Sequence, residues 1–121
     1  MKTMRIAILA SIVASTPALA ENEDWWLVSG EPGDTSVQFI DAASVNRDRS
    51  SVSFGVATYW SNGRSMQRNL TMDCDKKPVA ESYRDLWQFA CGSEEIRLRT
   101  ALKLGSQEPG WLAKTIFSMS S

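Results

Sequence analysis

The chain has 121 residues, with 13 basic and 14 acidic side chains and no histidine, for a net charge of −1. That balance argues against a nucleic-acid binder, which usually carries a basic excess. Without histidine the chain lacks the commonest general base and the commonest metal ligand.

The first 20 residues read MKTMRIAILASIVASTPALA: Lys2 and Arg5 precede an apolar run from Ile6 to Val13, and the stretch closes on Ala18-Leu19-Ala20. This is the layout of a secretory signal peptide. The run is too short to cross about 30 Å of hydrocarbon, no later segment is apolar enough to span, and no cysteine stands at the cleavage site to carry a lipid. Residues 1–20 are therefore expected to be a signal peptide and residues 21–121 a single small domain, exported to the periplasm, the cell surface or the medium. Removing 20 residues from 121 leaves 101, with 11 bases against 14 acids and a net charge of −3. A domain of that size has a modest core, so a covalent cross-link matters to its stability.

Residues 24–29 (DWWLVS) are rich in strand formers, and residues 35–40 (TSVQFI) form a second short strand. Between them Glu31-Pro32-Gly33-Asp34 supplies turn chemistry. Trp25 and Trp26 are neighbours in a strand and must point to opposite faces, so one is expected to pack and the other to be wetter. Residues 41–50 connect to the third strand, with Asp41 placed to accept backbone hydrogen bonds from the turn it opens.

Along residues 51–60, Val52, Phe54, Val56, Thr58 and Trp60 alternate with Ser51, Ser53, Gly55, Ala57 and Tyr59, the period of a half-buried strand. After Asn62-Gly63 the apolar residues Met66, Leu70, Met72 and Cys74 are again even-numbered. A two-residue turn at Asn62-Gly63 would pair even with odd residues and set Phe54 on the same face as Thr71, a slip that misplaces the whole apolar set. A three-residue loop of Ser61, Asn62 and Gly63, with Gly63 in the left-handed region, restores parity. It opposes Trp60 to Arg64, Thr58 to Met66, Val56 to Arg68, Phe54 to Leu70 and Val52 to Met72. Arg64 is expected to lie against the Trp60 ring and Arg68 to run its methylenes toward the sheet rim. An arginine pair gripping an anion is the functional alternative.

The two cysteines of the chain are Cys74 and Cys91. In an exported chain thiols pair, which predicts a Cys74 to Cys91 disulfide. Asp73-Cys74-Asp75 holds three potential metal ligands, but a chain with no histidine and no CxxC element carries no metal-site reading.

Lys76-Lys77-Pro78 breaks the fourth strand, and residues 79–90 show no clean period, with one further strand allowed around residues 87–90. Ser93-Glu94-Glu95 resembles a capped helix start, and Lys103 and Gly105 suit its end. Ile96, Leu98, Leu102 and Leu104 also alternate, so residues 94–104 read as helix or strand, with the end signals favouring helix. Leu112, Ala113, Ile116 and Phe117 then fall on one side at helical spacing, so a short C-terminal helix can cover the sheet. The expected fold is α+β: an antiparallel meander of four to five strands, covered on one face by one or two C-terminal helices.

For catalysis the inventory is thin. With no histidine and both cysteines oxidised, a base and a thiolate nucleophile are missing, and no Gly-rich phosphate loop, GxSxG elbow or SxxK element occurs. The carboxylate pairs Glu94 with Glu95 and Asp73 with Asp75 read as helix-start and turn acids. No cofactor, catalytic or metal-binding residue is assigned, and the chain reads as a non-enzyme.

Trp26, then Val37 to Val45 (VQFIDAASV), then the strand of residues 51–60, then Met72-Asp73-Cys74 follow one another in an order that resembles the surface-adhesin protein E-like family of exported bacterial domains. The resemblance covers about residues 25–74. It implies an antiparallel sheet with helical cover and a binding activity, since the name-giving adhesin attaches to host matrix and serum proteins; no contact residue transfers to this chain. The expectation is a small binding module whose partner is a protein or another envelope component, with no nucleic acid and no membrane span, and with an edge strand that also allows a homodimer; the alternative is a periplasmic enzyme or inhibitor whose site the residues do not reveal.

Overall fold

The alternating segments form strands in the computed structural model, which describes residues 22–119. In chain order the elements are β1 (Trp25–Ser29), β2 (Ser36–Asp48), β3 (Ser51–Trp60), β4 (Ser65–Asp73), α1 (Glu81–Cys91), α2 (Glu94–Thr100), β5 (Leu102–Gly105) and α3 (Gly110–Met119). The strands make one five-stranded sheet in the order β4-β3-β2-β1-β5, with every pair antiparallel. The fold is α+β, as expected. The expected signal peptide, residues 1–20, lies outside the described residues.

The β3–β4 register follows the parity argument. Thr58 pairs with Met66, Val56 with Arg68, Phe54 with Leu70 and Val52 with Met72. The reversal uses residues 61–63: the Trp60 amide donates to the Arg64 carbonyl at 2.9 Å and the Gly63 amide to the Trp60 carbonyl at 3.0 Å. Gly63 has φ +93, which an L side chain adopts at a cost.

The expected connection of residues 41–50 is mostly strand instead. β2 continues to Asp48 and absorbs a register shift between Asp41 and Asn46, a bulge whose polar groups are met by its own side chains. Asp41 Oδ1 accepts from the amides of Asp24 at 2.8 Å and Ala43 at 3.1 Å. Ser44 Oγ donates to the Asp41 carbonyl at 2.7 Å and accepts from the Gly55 amide at 2.8 Å. The Asp-Ala-Ala-Ser element thus holds the bulge against β3. Ser44→Ala is expected to destabilise the domain by about 1 kcal/mol, the net worth of an exposed hydrogen bond that water replaces in part, read as a lower urea midpoint.

Helices cover both faces of the sheet, not one. On the even face, Trp26, Ile40, Val52, Phe54 and Val56 pack against Leu86, Phe89 and Ala90 of α1. On the odd face, Trp25, Val37, Phe39 and Ala57 pack against Ala113 and Ile116 of α3, with Leu112 and Phe117 beside them. Both tryptophans are consequently buried, at 4% and 5% exposure. The expectation that one would be wetter fails because each face of β1 meets a core.

The strand allowed around residues 87–90 is the last turn of α1. Aromatic side chains favour strands locally, but Tyr83, Leu86, Phe89 and Ala90 share one helical face, and burial of that face decides. Residues 94–104 divide between the two readings. Ser93 Oγ accepts from the Ile96 amide at 3.3 Å to start α2, and after Ala101 the chain extends as β5 on the free edge of β1.

Gly30 is a strict requirement. It has φ +123, and a Cβ there would overlap Val37 Cγ1. Gly30→Ala is expected to cost about 3 kcal/mol from strain and overlap together, whereas Gly63→Ala, with open space around it, should cost about 1–2 kcal/mol. Thermal denaturation of the two variants side by side measures the difference.

Candidate functional site

The β3–β4 reversal and the start of α3 face each other across a cleft of about 690 Å³. Tyr59, the last odd-face residue of β3, forms part of its floor. The Tyr59 ring stands edge-on to Phe39, centroids 5.7 Å apart and planes at 88°, so the core sets its position. Trp111, half exposed, projects from the first turn of α3. Arg64 comes from the hairpin and Lys114 from α3. Neither side chain has a hydrogen bond or an acidic partner among the described residues. Glu108 Oε1 lies 3.0 Å from where a Cβ on Gly110 would stand, so its carboxylate folds against the beginning of α3, where unpaired amides favour negative charge.

Burial, and secondly the charge of Glu108, push the Tyr59 hydroxyl above the ordinary tyrosine value. The folded chain therefore holds this proton more tightly than the unfolded chain. The stability this represents is complete below about pH 10 and is lost as pH rises through the higher folded value. Tyr59→Phe is expected to flatten that alkaline loss, measured by urea denaturation at a series of pH values.

At the other side of the hairpin, Trp60, Asn62, Arg64 and Met66 line a smaller recess of about 330 Å³. Trp60 and Arg64 meet through the backbone bond that closes the loop. The cation–ring contacts among the described residues lie elsewhere: Arg97 over Phe89 at 4.6 Å and Lys103 over Trp26 at 5.7 Å. Arg64 and Arg68 are both exposed but line different recesses, so the structure does not bring them together around one pocket.

β4 is an edge of the sheet, nine residues long and largely exposed. The bonds from Trp60 to Arg64 and from Cys74 to Ser50 join even-numbered partners, and antiparallel ladders alternate. Even residues of β4 therefore spend their amides and carbonyls on β3, while Gln67, Asn69 and Thr71 point theirs outward. A charged side chain within the strand is Arg68, and half-exposed Met66 adds apolar surface beside it.

The predicted disulfide is present. Cys74, just past β4, joins Cys91 at the end of α1, with Cα atoms 5.6 Å apart. A pair of arginines that sequence reasoning passed over works at the same end of α1. Arg47 donates to the Ala90 and Gly92 carbonyls, each at 2.9 Å, and Arg97 to the Phe89 carbonyl at 2.8 Å. These are the carbonyls a helix end leaves without partners. Only residue type and helix-end position could have hinted at them, because Arg47 lies 43 residues from Ala90.

The other carboxylates have backbone work to do. Asp73 Oδ1 accepts from the Asp75 amide at 2.9 Å, and Glu94 and Glu95 sit in the first turn of α2. Glu23 and Asp41 share a shallow recess of about 310 Å³ over the bulge, but Glu23 accepts from the Trp25 indole and Asp41 from two amides. Among the described residues no three of His, Cys, Asp and Glu converge to hold a metal ion, and no helix is long and apolar enough to cross a membrane.

No family model matches the chain, and neither a curated protein nor a solved structure matches it.

Proposed function

We propose that this chain is a small exported binding module, working without catalysis, that recognises a protein or another envelope component by accepting an extended segment alongside β4. The observation that carries this reading is the open, nearly uncharged edge of β4, with the amides and carbonyls of Gln67, Asn69 and Thr71 directed away from the sheet. Folded proteins usually blunt such edges with charge, proline or cover, because they pair with any strand that reaches them. Strand addition supplies main-chain hydrogen bonds for affinity, and alternate side chains such as Met66 and Arg68 supply selectivity. The order of residues shared with protein E-like adhesin domains supports the same class of work, and the leader-like residues 1–20 and the disulfide support export.

The test exploits parity. Asn69→Pro removes an outward amide, while Leu70→Pro removes one that bonds β3. The Asn69 variant is expected to keep its thermal midpoint within a few degrees and lose retention of envelope and matrix proteins; the Leu70 variant should unfold far earlier. Full retention by a folded Asn69→Pro variant would count against strand addition. Sedimentation velocity of the same pair reads whether a second copy of the chain is the occupant.

A further inference from the structure

The cleft between the hairpin and α3 is separate from the outward groups of β4, and its chemistry points elsewhere. Trp111 offers a half-exposed ring, and the Tyr59 ring is held in place by Phe39. Arg64 and Lys114 bring unpaired cations from the two walls, and Glu108 adds a carboxylate beside the start of α3. A volume of about 690 Å³ suits a small-molecule ligand.

From this combination we infer that the cleft binds an acidic sugar, a pyranose ring carrying a carboxylate, presented by a glycan. The C–H face of such a ring covers an aromatic plane, and its carboxylate answers Arg64 and Lys114. Its hydroxyls donate to Glu108. An acidic peptide also meets the two cations, but its flexible carboxylate side chains present no rigid C–H face to the Tyr59 and Trp111 rings, and its higher density of negative charge is opposed more strongly by Glu108. A neutral aromatic ligand would cover the rings and leave two cations partly desolvated without partners. The acidic sugar is the class that uses rings, cations and carboxylate together.

The test titrates the exported protein with a trimer of galacturonic acid, with its uncharged methyl ester, and with a glutamate-rich peptide, following tryptophan fluorescence and amide chemical shifts. The acid trimer is expected to saturate below about 10 mM, to weaken with added salt, and to bind about tenfold tighter than the ester. Lys114→Gln and Arg64→Gln should each weaken it about fivefold, and Trp111→Ala about tenfold, with thermal midpoints retained. Glu108→Gln should weaken the sugar, whereas it should strengthen an acidic peptide. Equal affinity for acid and ester, indifference to Trp111→Ala, peptide binding tighter than sugar binding, or no saturation by the trimer would each overturn the inference. Asn69→Pro leaves the cleft untouched, so failure of the strand-addition reading and failure of this one are read on different variants.

Discussion

Phe39→Ala is expected to destabilise the domain by about 3–5 kcal/mol, the range for removing a fully buried aromatic ring from a packed core. Phe39 is wholly buried on the odd face, where Trp25, Val37 and Ala57 meet Ala113 and Ile116 of α3. A domain of about this size is stable by roughly 5–15 kcal/mol, so the loss is a large share of the whole. The same change removes the ring that holds Tyr59. The floor of the cleft and the seat of α3 should therefore loosen first. Urea denaturation measures the loss, and near-ultraviolet circular dichroism reports the tryptophan and tyrosine environments. As a control, Val79→Ala, at a residue 92% exposed, should change stability by no more than about 0.5 kcal/mol. A Phe39→Ala variant within that margin would mean the odd-face core is not packed as described.

The disulfide is expected to contribute about 3 kcal/mol, the chain-entropy value for a loop of this length, given a separation of 17 residues between Cys74 and Cys91. It ties the end of β4 to the C-terminal end of α1, which has no basic residue in its own last turn. Its final carbonyls rely on Arg47 and Arg97 instead. Reductant should therefore lower the denaturation midpoint of the native chain by an amount matching that of a Cys74→Ser, Cys91→Ser variant, and should leave the variant itself unmoved. Alkylation without prior reduction should modify neither cysteine. Loosening α1 also exposes the Trp26–Phe89 contact, whose rings are 5.5 Å apart, so tryptophan fluorescence provides a second readout.

Several features are legible in the sequence because they are local. Parity between residues 51–60 and the even apolar residues after Gly63 required an odd loop, and the observed pairing of Phe54 with Leu70 follows from it. The pair Cys74 and Cys91 had no competing partners. Leu112, Ala113, Ile116 and Phe117 carried a helical period strong enough to place α3. Other features were misread where local preference and distant packing disagreed. Trp87 to Ala90 looked like strand material, yet Leu86, Phe89 and Ala90 are drawn onto the even face as a helix. The connection after Asp41 looked like a loop because a bulge erases the alternation that marks a strand.

The candidate site belonged almost entirely to the second group. Arg64 was visible in the sequence as the partner of Trp60, but the far wall of its cleft comes from Trp111 and Lys114, about 50 residues on. The run Trp-Trp-Leu-Val in β1 held a clue to burial on two faces, since a strand covered on both sides is apolar without alternation. Pairing, turn length and cross-link follow from the residues alone, because each depends on a few neighbours and on the period of a strand. Which helix covers which face, and hence which tryptophan meets solvent and where a cleft opens, is set by packing across the whole domain. That choice is made by burial shared among segments far apart in the chain, and no window of sequence contains all of them.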